Sequence, residues 1–273
     1  MILAQLTDTH IKKAGHLAYR RVDTSAFLLA SITHLNKFIP AVDAVIITGD
    51  LTDAGTIQEY QILYTMLKKL EAPWFIIPGN HDNRQNLLEV FKNQVYLSRC
   101  TNYVQYTVEH FPVQLIGLDT VVPGQPHGLL CQDRLSWLKE QLKKTEDKIT
   151  ILFQHHPPFK MGVTHMDVQN LQNASEEIEL VKKFTNVRHI ACGHAHRASE
   201  TCIDGIGVSI APNGAHSVTL DLKDDAPPAF SMDPPSIRIF WISDKGAISS
   251  HISFVGEFDG PYPFFSKDGT LID

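Results

Sequence analysis

Asp8, His10, Asp50, Asn80, His155, His194 and His196 each stand a few residues beyond the end of a short apolar run. The runs are Ile2–Leu6, Ala44–Ile47, Trp74–Ile77, Ile149–Phe153 and Val187–Ala191. Carboxylate, amide and imidazole groups of this kind are ligands for a borderline transition metal. Polar residues after a strand also occur simply because Asn, Asp and Gly suit turns. The case for chemistry is the repetition: five separate segments end in the same donor types. Asp8 with His10, and His194 with His196, have i, i+2 spacing, which on an extended segment puts both side chains on one side. His155 and His156 are adjacent and point opposite ways, so one of the pair belongs with the cluster. His34, His110, His127, His165, His189 and His251 lack such context and read as surface or core histidines.

Seven protein donors exceed what one ion normally takes, which predicts two metals with Asp50 as the bridging carboxylate. No cysteine joins the set, so thiolate zinc and iron–sulfur chemistry are disfavoured, and iron, manganese, zinc or cobalt fit the donors. Two such ions about 3.5–4 Å apart clamp an in-line displacement at phosphorus and activate the attacking water. His81 and Asp82 follow Asn80 directly, placing an imidazole and a carboxylate beside the predicted centre.

The elements that must position these groups follow from periodicity. The five apolar runs read as buried strands. Helical spacing covers residues 23–38 up to Pro40. Thr56 and Glu59 form a capping box that opens a helix running to about Leu70. Further helices are predicted over residues 84–91, 133–144 and 175–184, while residues 159–174 have no period and read as a long loop. Residues 103–109 and 113–118 read as a strand pair. Strands alternating with helices imply an α/β layer architecture, whose ligand edge lies at the strand carboxyl ends. After about Thr201 the runs become short and β-like: 207–210, 218–222, 237–242 and 248–254.

The chain has 273 residues, formal net charge −6 and 43% hydrophobic residues. That is one large domain, or one domain with a small appendage. No basic run is dense enough to follow a phosphate backbone, so a nucleic-acid polymer is excluded as a partner. No apolar stretch is long enough for a membrane span. The four cysteines form no C-x-x-C pair, and Ile2–Leu6 already reads as a core strand, so a cytoplasmic protein with free thiols is expected.

Asp8-x-His10, Gly49-Asp50-x-x-Asp53, Gly79-Asn80-His81-Asp82, His155 and Gly193-His194-x-His196 together resemble the five blocks of calcineurin-like metallophosphoesterases. They occur in the family's order and cover residues 8–196. The length, Arg21-Val22-Asp23-Thr24 and the tail Gly260-Pro261-Tyr262-Pro263-Phe264 resemble the class III cyclic-nucleotide phosphodiesterase and glycerophosphodiesterase group. The resemblance implies a four-layer α/β/β/α sandwich with a small β-rich C-terminal cap. Residues 1–200 would form the catalytic core; 201–273 would supply the remaining core strands plus a cap and dimerisation segment. One metal would be held by Asp8, His10, Asp50 and His196, the other by Asp50, Asn80, His155 and His194. His81 would be the catalytic imidazole with Asp82 orienting it, and Asp53 would stand behind the ligands. Asn80, His81, His196 and His216 would face substrate.

The implied activity is hydrolysis of small phosphodiesters, 3′,5′-cyclic nucleotides such as cyclic AMP or glycerophosphodiesters, by in-line attack of a metal-activated hydroxide. A homodimer or higher homo-oligomer is implied with it. A phosphomonoesterase or protein phosphatase is the enzymatic alternative; it would need arginines for a dianion, and Arg84 is the nearest. A metal-binding interaction scaffold is the alternative of another class, and it would show a damaged block.

Overall fold

The computed structural model describes residues 1–272. The strands are β1 (Ile2–Leu6), β2 (Ala44–Thr48), β3 (Trp74–Ile77), β4 (Tyr106–Val108), β5 (Gln114–Gly117), β6 (Thr150–Gln154), β7 (Val187–Cys192), β8 (Ser199–Ile203), β9 (Ile206–Ile210), β10 (Ser217–Val218), β11 (Phe230–Ser231), β12 (Ser236–Ile242) and β13 (Ile248–Phe254). The α-helices are α1 (Thr24–Asn36), α2 (Ile57–Leu67), α3 (Arg84–Val90), α4 (Gln132–Lys144), α5 (Thr164–Asp167) and α6 (Ala174–Val181).

Two sheets form the centre, ordered β13-β12-β1-β2-β3 and β4-β5-β6-β7-β9-β8. Within them β1, β2 and β3 run parallel, as do β5, β6, β7 and β9. Their carboxyl ends therefore open on a common edge.

Alternation along the strands of the second sheet builds the layers. Leu115, Ile151, Phe153 and Ala191 join the core of the first sheet and of helices α1–α3. Their neighbours Ile116, Leu152, Ile190 and Cys192 point the other way, onto Leu138 and Leu142 of α4 and Ile178 and Val181 of α6. Both faces are thus covered, which is why these strands read as continuous apolar runs. The result is helices, sheet, sheet, helices. Each fully buried large side chain stabilises this stack by roughly 1.5–3 kcal/mol.

A buried amide ties the two sheets together near the ligand edge. Gln5 Nε2 donates to Thr48 Oγ1 at 2.9 Å and across to the Cys192 carbonyl at 2.8 Å.

The segment after Thr201 divides in two. Strand β12 inserts beside β1, pairing Ala4 with Ile239, and β9 pairs with β7, so most of these strands complete the two sheets. What stands apart is the short β10–β11 ribbon, joined through Ser217–Ser231 and Val218–Phe230. The run expected over 218–222 is paired only at its start. Residues 159–174, expected as a loop without structure, hold the one-turn helix α5. Strand β8 carries mostly exposed residues and no apolar run, so periodicity did not reveal it.

Candidate metal centre

The loops after β1 and β2 stay hydrogen-bonded beyond the strands. Asp8 N donates to Gly49 O at 3.0 Å, His10 N to Asp50 O at 2.9 Å and Ile11 N to Leu51 O at 3.1 Å. These bonds hold Asp8 and His10 in register with Asp50. Asp8, His10, Asp50, His194 and His196 all have positive φ, between 40° and 76°. The left-handed region costs a non-glycine residue on the order of 1 kcal/mol or more, and such residues cluster at functional sites. The sequence predicts extended segments for the i, i+2 pairs, and the structure departs from that. The left-handed turns, not strand alternation, aim their side chains. They also separate His194 from His196, which enter different clusters.

Asp50 Oδ2 is where the two clusters meet. It lies 3.7 Å from His10 Nε2 and 3.4 Å from His155 Nε2. On one side His10 Nε2 is 3.1 Å from His196 Nε2, which is 3.3 Å from Asp8 Oδ1. On the other, Asn80 Oδ1 is 3.1 Å from both His155 Nε2 and His194 Nδ1. His155 and His194 are themselves 3.3 Å apart at those nitrogens. A Cβ on Gly79 would run into the Asp50 carboxylate and the His155 ring, so only glycine permits this approach.

The hydrogen bonding shows what these clusters are suited to hold. His155 Nδ1 lies 2.8 Å from the Thr48 carbonyl and so donates to it, leaving a lone pair at Nε2. That lone pair faces the amide oxygen of Asn80 and a carboxylate oxygen of Asp50, both acceptors. Converging acceptors need a cation between them. Burial drives His10 and His194 down to about 3, so both are neutral imidazoles ready to coordinate. His155 is also buried, yet the Asp50 charge prevails and lifts it to about 9, so without a metal its Nε2 carries a proton, and a bound ion would displace that proton to reach the lone pair. The carboxylates thus draw positive charge into this spot. The chain holds His/Asp clusters able to take a metal ion at Asp8–His10–His196 and at Asp8–Asp50–His155.

His156 lies within ligand distance of His155 and His194, but its ring nitrogens face other partners. Its Nδ1 meets Thr120 Oγ1 at 2.7 Å and its Nε2 the Pro126 carbonyl at 3.2 Å. Both nitrogens are engaged. His34 and His189 are likewise satisfied, by Ser253 and Ser209.

His81 lies over the first cluster, its ring 4.8 Å from that of His10. Its Nδ1 is 2.9 Å from the Asp53 carbonyl, to which it donates, leaving Nε2 for the cavity. Asp82 does not orient it. The Asp82 carboxylate accepts from Leu51 N at 2.9 Å, Gly79 N at 2.8 Å and Tyr60 Oη at 2.8 Å. It knits the loops after β2 and β3 together. The capping box of α2 is present and brings Tyr60 to this junction. The two residues sit in a turn after β3, where the Asp82 oxygens go to Leu51, Gly79 and Tyr60 while the His81 ring bonds to the Asp53 carbonyl. Burial opposes charge on His81, but Asp50 and the Asp53 carbonyl outweigh it and raise its pKa above the usual value. Asp53 also pairs with Lys12 behind the centre.

Above the clusters is a cavity of about 410 Å³. His216 reaches it, its ring 4.6 Å from that of His196, and burial holds this imidazole near 3, neutral. Tyr19, His165, Met166, Gln169, Val218, Pro228, Ala229 and Phe230 complete its walls. Sequence reasoning missed these eight. Only His165 carried any signal, a histidine in an aperiodic stretch. Arg84 is not at the site: its guanidinium is engaged by Asp119 at 2.6 and 2.7 Å.

An α/β/β/α sandwich that brings two His/Asp clusters together at one carboxylate defines a dinuclear metallohydrolase. The chain belongs to the family described as Calcineurin-like phosphoesterase, whose model matches residues 1–198. It is 44% identical over its whole length, and the whole length of the relative, to a probable glycerophosphodiester phosphodiesterase GpdQ of Arcobacter nitrofigilis. It is 29% identical to the 3′,5′-cyclic adenosine monophosphate phosphodiesterase CpdA of Haemophilus influenzae, covering 98% of this chain and 94% of that one. Among solved structures it is similar to a dimetal phosphatase from Danio rerio, with TM-score 0.69 and 11% identity over 94% of this chain and 99% of that one. At that identity the likeness concerns the fold.

Proposed function

We propose that this protein is a dinuclear metal-dependent phosphodiesterase acting on small diesters, with glycerophosphodiesters foremost. The observation that carries this reading is Asp50 Oδ2, shared between two donor sets at the floor of a cavity. Asp8, His10, Asp50 and His196 would hold one ion, and Asp50, Asn80, His155 and His194 the other. Iron, manganese, zinc and cobalt suit these nitrogen and oxygen donors. Such ions supply Lewis-acid polarisation of the phosphoryl group and a nucleophile at neutral pH.

The chain's own residues do the rest. Asn80, His81, His196 and His216 surround the space a phosphoryl group would take. His81, held by the Asp53 carbonyl and favoured in its charged form, delivers a proton from Nε2 to the departing alkoxide. His216, neutral, serves as a hydrogen-bonding group. Asp82 acts on the loops and only through them on His81.

The cavity lining carries no arginine or lysine among the described residues. A phosphodiester has one negative charge and needs less than the arginine pair that a monoester dianion usually recruits. This favours a diesterase over a phosphomonoesterase or protein phosphatase. Full-length similarity to a probable glycerophosphodiester phosphodiesterase supports the substrate order. Cyclic nucleotides are the second reading, because Tyr19 stacks on Phe230 at 4.9 Å and offers a base an aromatic face.

A homodimer or higher homo-oligomer working in the cytoplasm completes the proposal. Trp241, Phe254, Phe258, Tyr262 and Phe264 are exposed on β12, β13 and the tail, and no helix is long and apolar enough to cross a membrane. Four free cysteines accord with a reducing compartment.

The test is chelation. Stripping metal should abolish cleavage of bis(p-nitrophenyl) phosphate and of a glycerophosphodiester, and added manganese or iron should restore both. Diesterase activity that survives complete metal removal would sink the mechanism.

A further inference from the structure

The phosphoryl end of the cavity is accounted for by the metal ligands, His81 and His216. The turn that holds α5 forms another part of its wall and brings in His165, Met166 and Gln169. This turn is built rather than loose. The Asp167 carboxylate accepts from Met161 N at 2.8 Å and Gly162 N at 2.9 Å. Asn170 Nδ2 donates to the Phe159 carbonyl at 2.7 Å, and Leu171 N to the Pro157 carbonyl at 3.1 Å. Gly162 also approaches Leu222, so the turn meets the segment that follows β10.

Two polar side chains on this wall have unused capacity. His165 is half-buried, and neither of its ring nitrogens has a hydrogen-bond partner among the described residues; Nδ1 is fully shielded. Gln169 donates through Nε2 to the His165 carbonyl at 2.8 Å. That bond fixes the amide so that Oε1 is the free end. The wall thus offers an acceptor oxygen next to an imidazole, which can donate and accept according to its tautomer. The remaining wall is apolar: Tyr19 stacked on Phe230, with Val218, Pro228 and Ala229. Unpaired polar groups beside a ligand cavity are the ones that fix orientation and specificity.

We propose that His165 and Gln169 are specificity-determining residues that hydrogen-bond the hydroxyl groups of the alcohol esterified to the phosphate. The ligand class is a polyol phosphodiester of the glycerol type. A hydroxyl both donates and accepts, so adjacent hydroxyls match an amide oxygen beside an imidazole. An aryl ester gains nothing from either. The proposal rests on the phosphodiesterase reading above and adds to it the residues that read the alcohol.

The experiment compares kcat/KM for sn-glycero-3-phosphoethanolamine and for bis(p-nitrophenyl) phosphate on metal-reconstituted enzyme. In the His165→Ala/Gln169→Ala variant, the ratio of the two should fall by about tenfold or more, mainly through KM for the glycerol diester. The inhibition constant of glycerol 3-phosphate should rise by a similar factor relative to that of inorganic phosphate. His165→Asn should recover part of the ratio, which a purely structural role would not allow. Should the double variant fail to fold, Gln169→Met alone must still lower the ratio, by about threefold. A ratio that stays within about twofold of wild type, or equal losses on both substrates, overturns the proposal. Wild-type holoenzyme that cleaves neither diester overturns the phosphodiesterase reading, and this proposal with it.

Discussion

His155 Nε2 lies 3.4 Å from Asp50 Oδ2 while the opposite ring nitrogen donates to the Thr48 carbonyl at 2.8 Å. The backbone of β2 therefore decides which imidazole nitrogen faces the carboxylate. Because the same Asp50 oxygen also faces His10, one side chain couples both clusters. Asp50→Asn should accordingly lower occupancy of both metals, not one. Losing a ligand outweighs losing a group behind one, so kcat/KM should drop by well over about 10²-fold. Metal analysis of the purified variant checks this; two metals still tightly bound would contradict the bridging role.

Asn80 belongs to one cluster only. Its Oδ1 lies 3.1 Å from His155 and His194 and has no hydrogen bond to the other set among the described residues. Asn80→Ala should therefore reduce metal content from two ions towards one, with activity returning at high added metal. Unchanged stoichiometry would remove Asn80 from the ligand set.

His81 and Asp82 separate by function although they are neighbours. His81→Ala removes a ring whose hydrogen bond among the described residues goes to a carbonyl, so both metals should stay while kcat falls by about 10²-fold or more. Asp82→Ala instead strips partners from three backbone N–H groups and from the hydroxyls of Thr52 and Tyr60. It should destabilise the fold by roughly 2–4 kcal/mol, since each orphaned buried group costs about 1–3 kcal/mol. Thermal melts and metal analysis on the pair distinguish the two roles. A folded, fully stable Asp82→Ala with lost activity would restore a direct catalytic role to Asp82.

Glu177 is fully buried on α6, where Gln154 donates to one carboxylate oxygen and the other has no partner among the described residues. Burial lifts its pKa from 4.5 to about 7. The folded state thus keeps a proton that the unfolded chain releases above about pH 4.5. Stability is fully present below the unfolded value and is lost as pH rises through the folded one. Glu177→Gln, which preserves the acceptor, should gain on the order of 2–3 kcal/mol at pH 8 and little at pH 4.5. Denaturant melts at the two pH values decide, and an equal effect at both would show that Glu177 does not titrate on folding.

Much of the centre was legible because its residues follow buried strands. Apolar runs are readable without an alignment, and in a parallel sheet their carboxyl ends share one edge. That reasoning brought Asp8, His10, Asp50, Asn80, His155, His194 and His196 to one place, and they meet there. It also predicted the strand–helix alternation and the capping box of α2.

What sequence could not supply was orientation and wall. The left-handed backbone at Asp8, His10, Asp50, His194 and His196 is imposed by long-range pairing between loops, which has no local signature. For the same reason Asp82, next to His81 in the chain, turns away from it, while Asp53 arrives from a different loop to hold the ring. The cavity walls show the limit most clearly. Tyr19, the pair His165 and Gln169, and Phe230 come from three separate stretches, and each alone reads as an ordinary surface residue. Amino-acid types and strand ends determined which chemistry this protein could carry. Which groups face the ligand was decided only when distant loops hydrogen-bonded to one another, because side-chain direction depends on backbone torsions that tertiary contacts select.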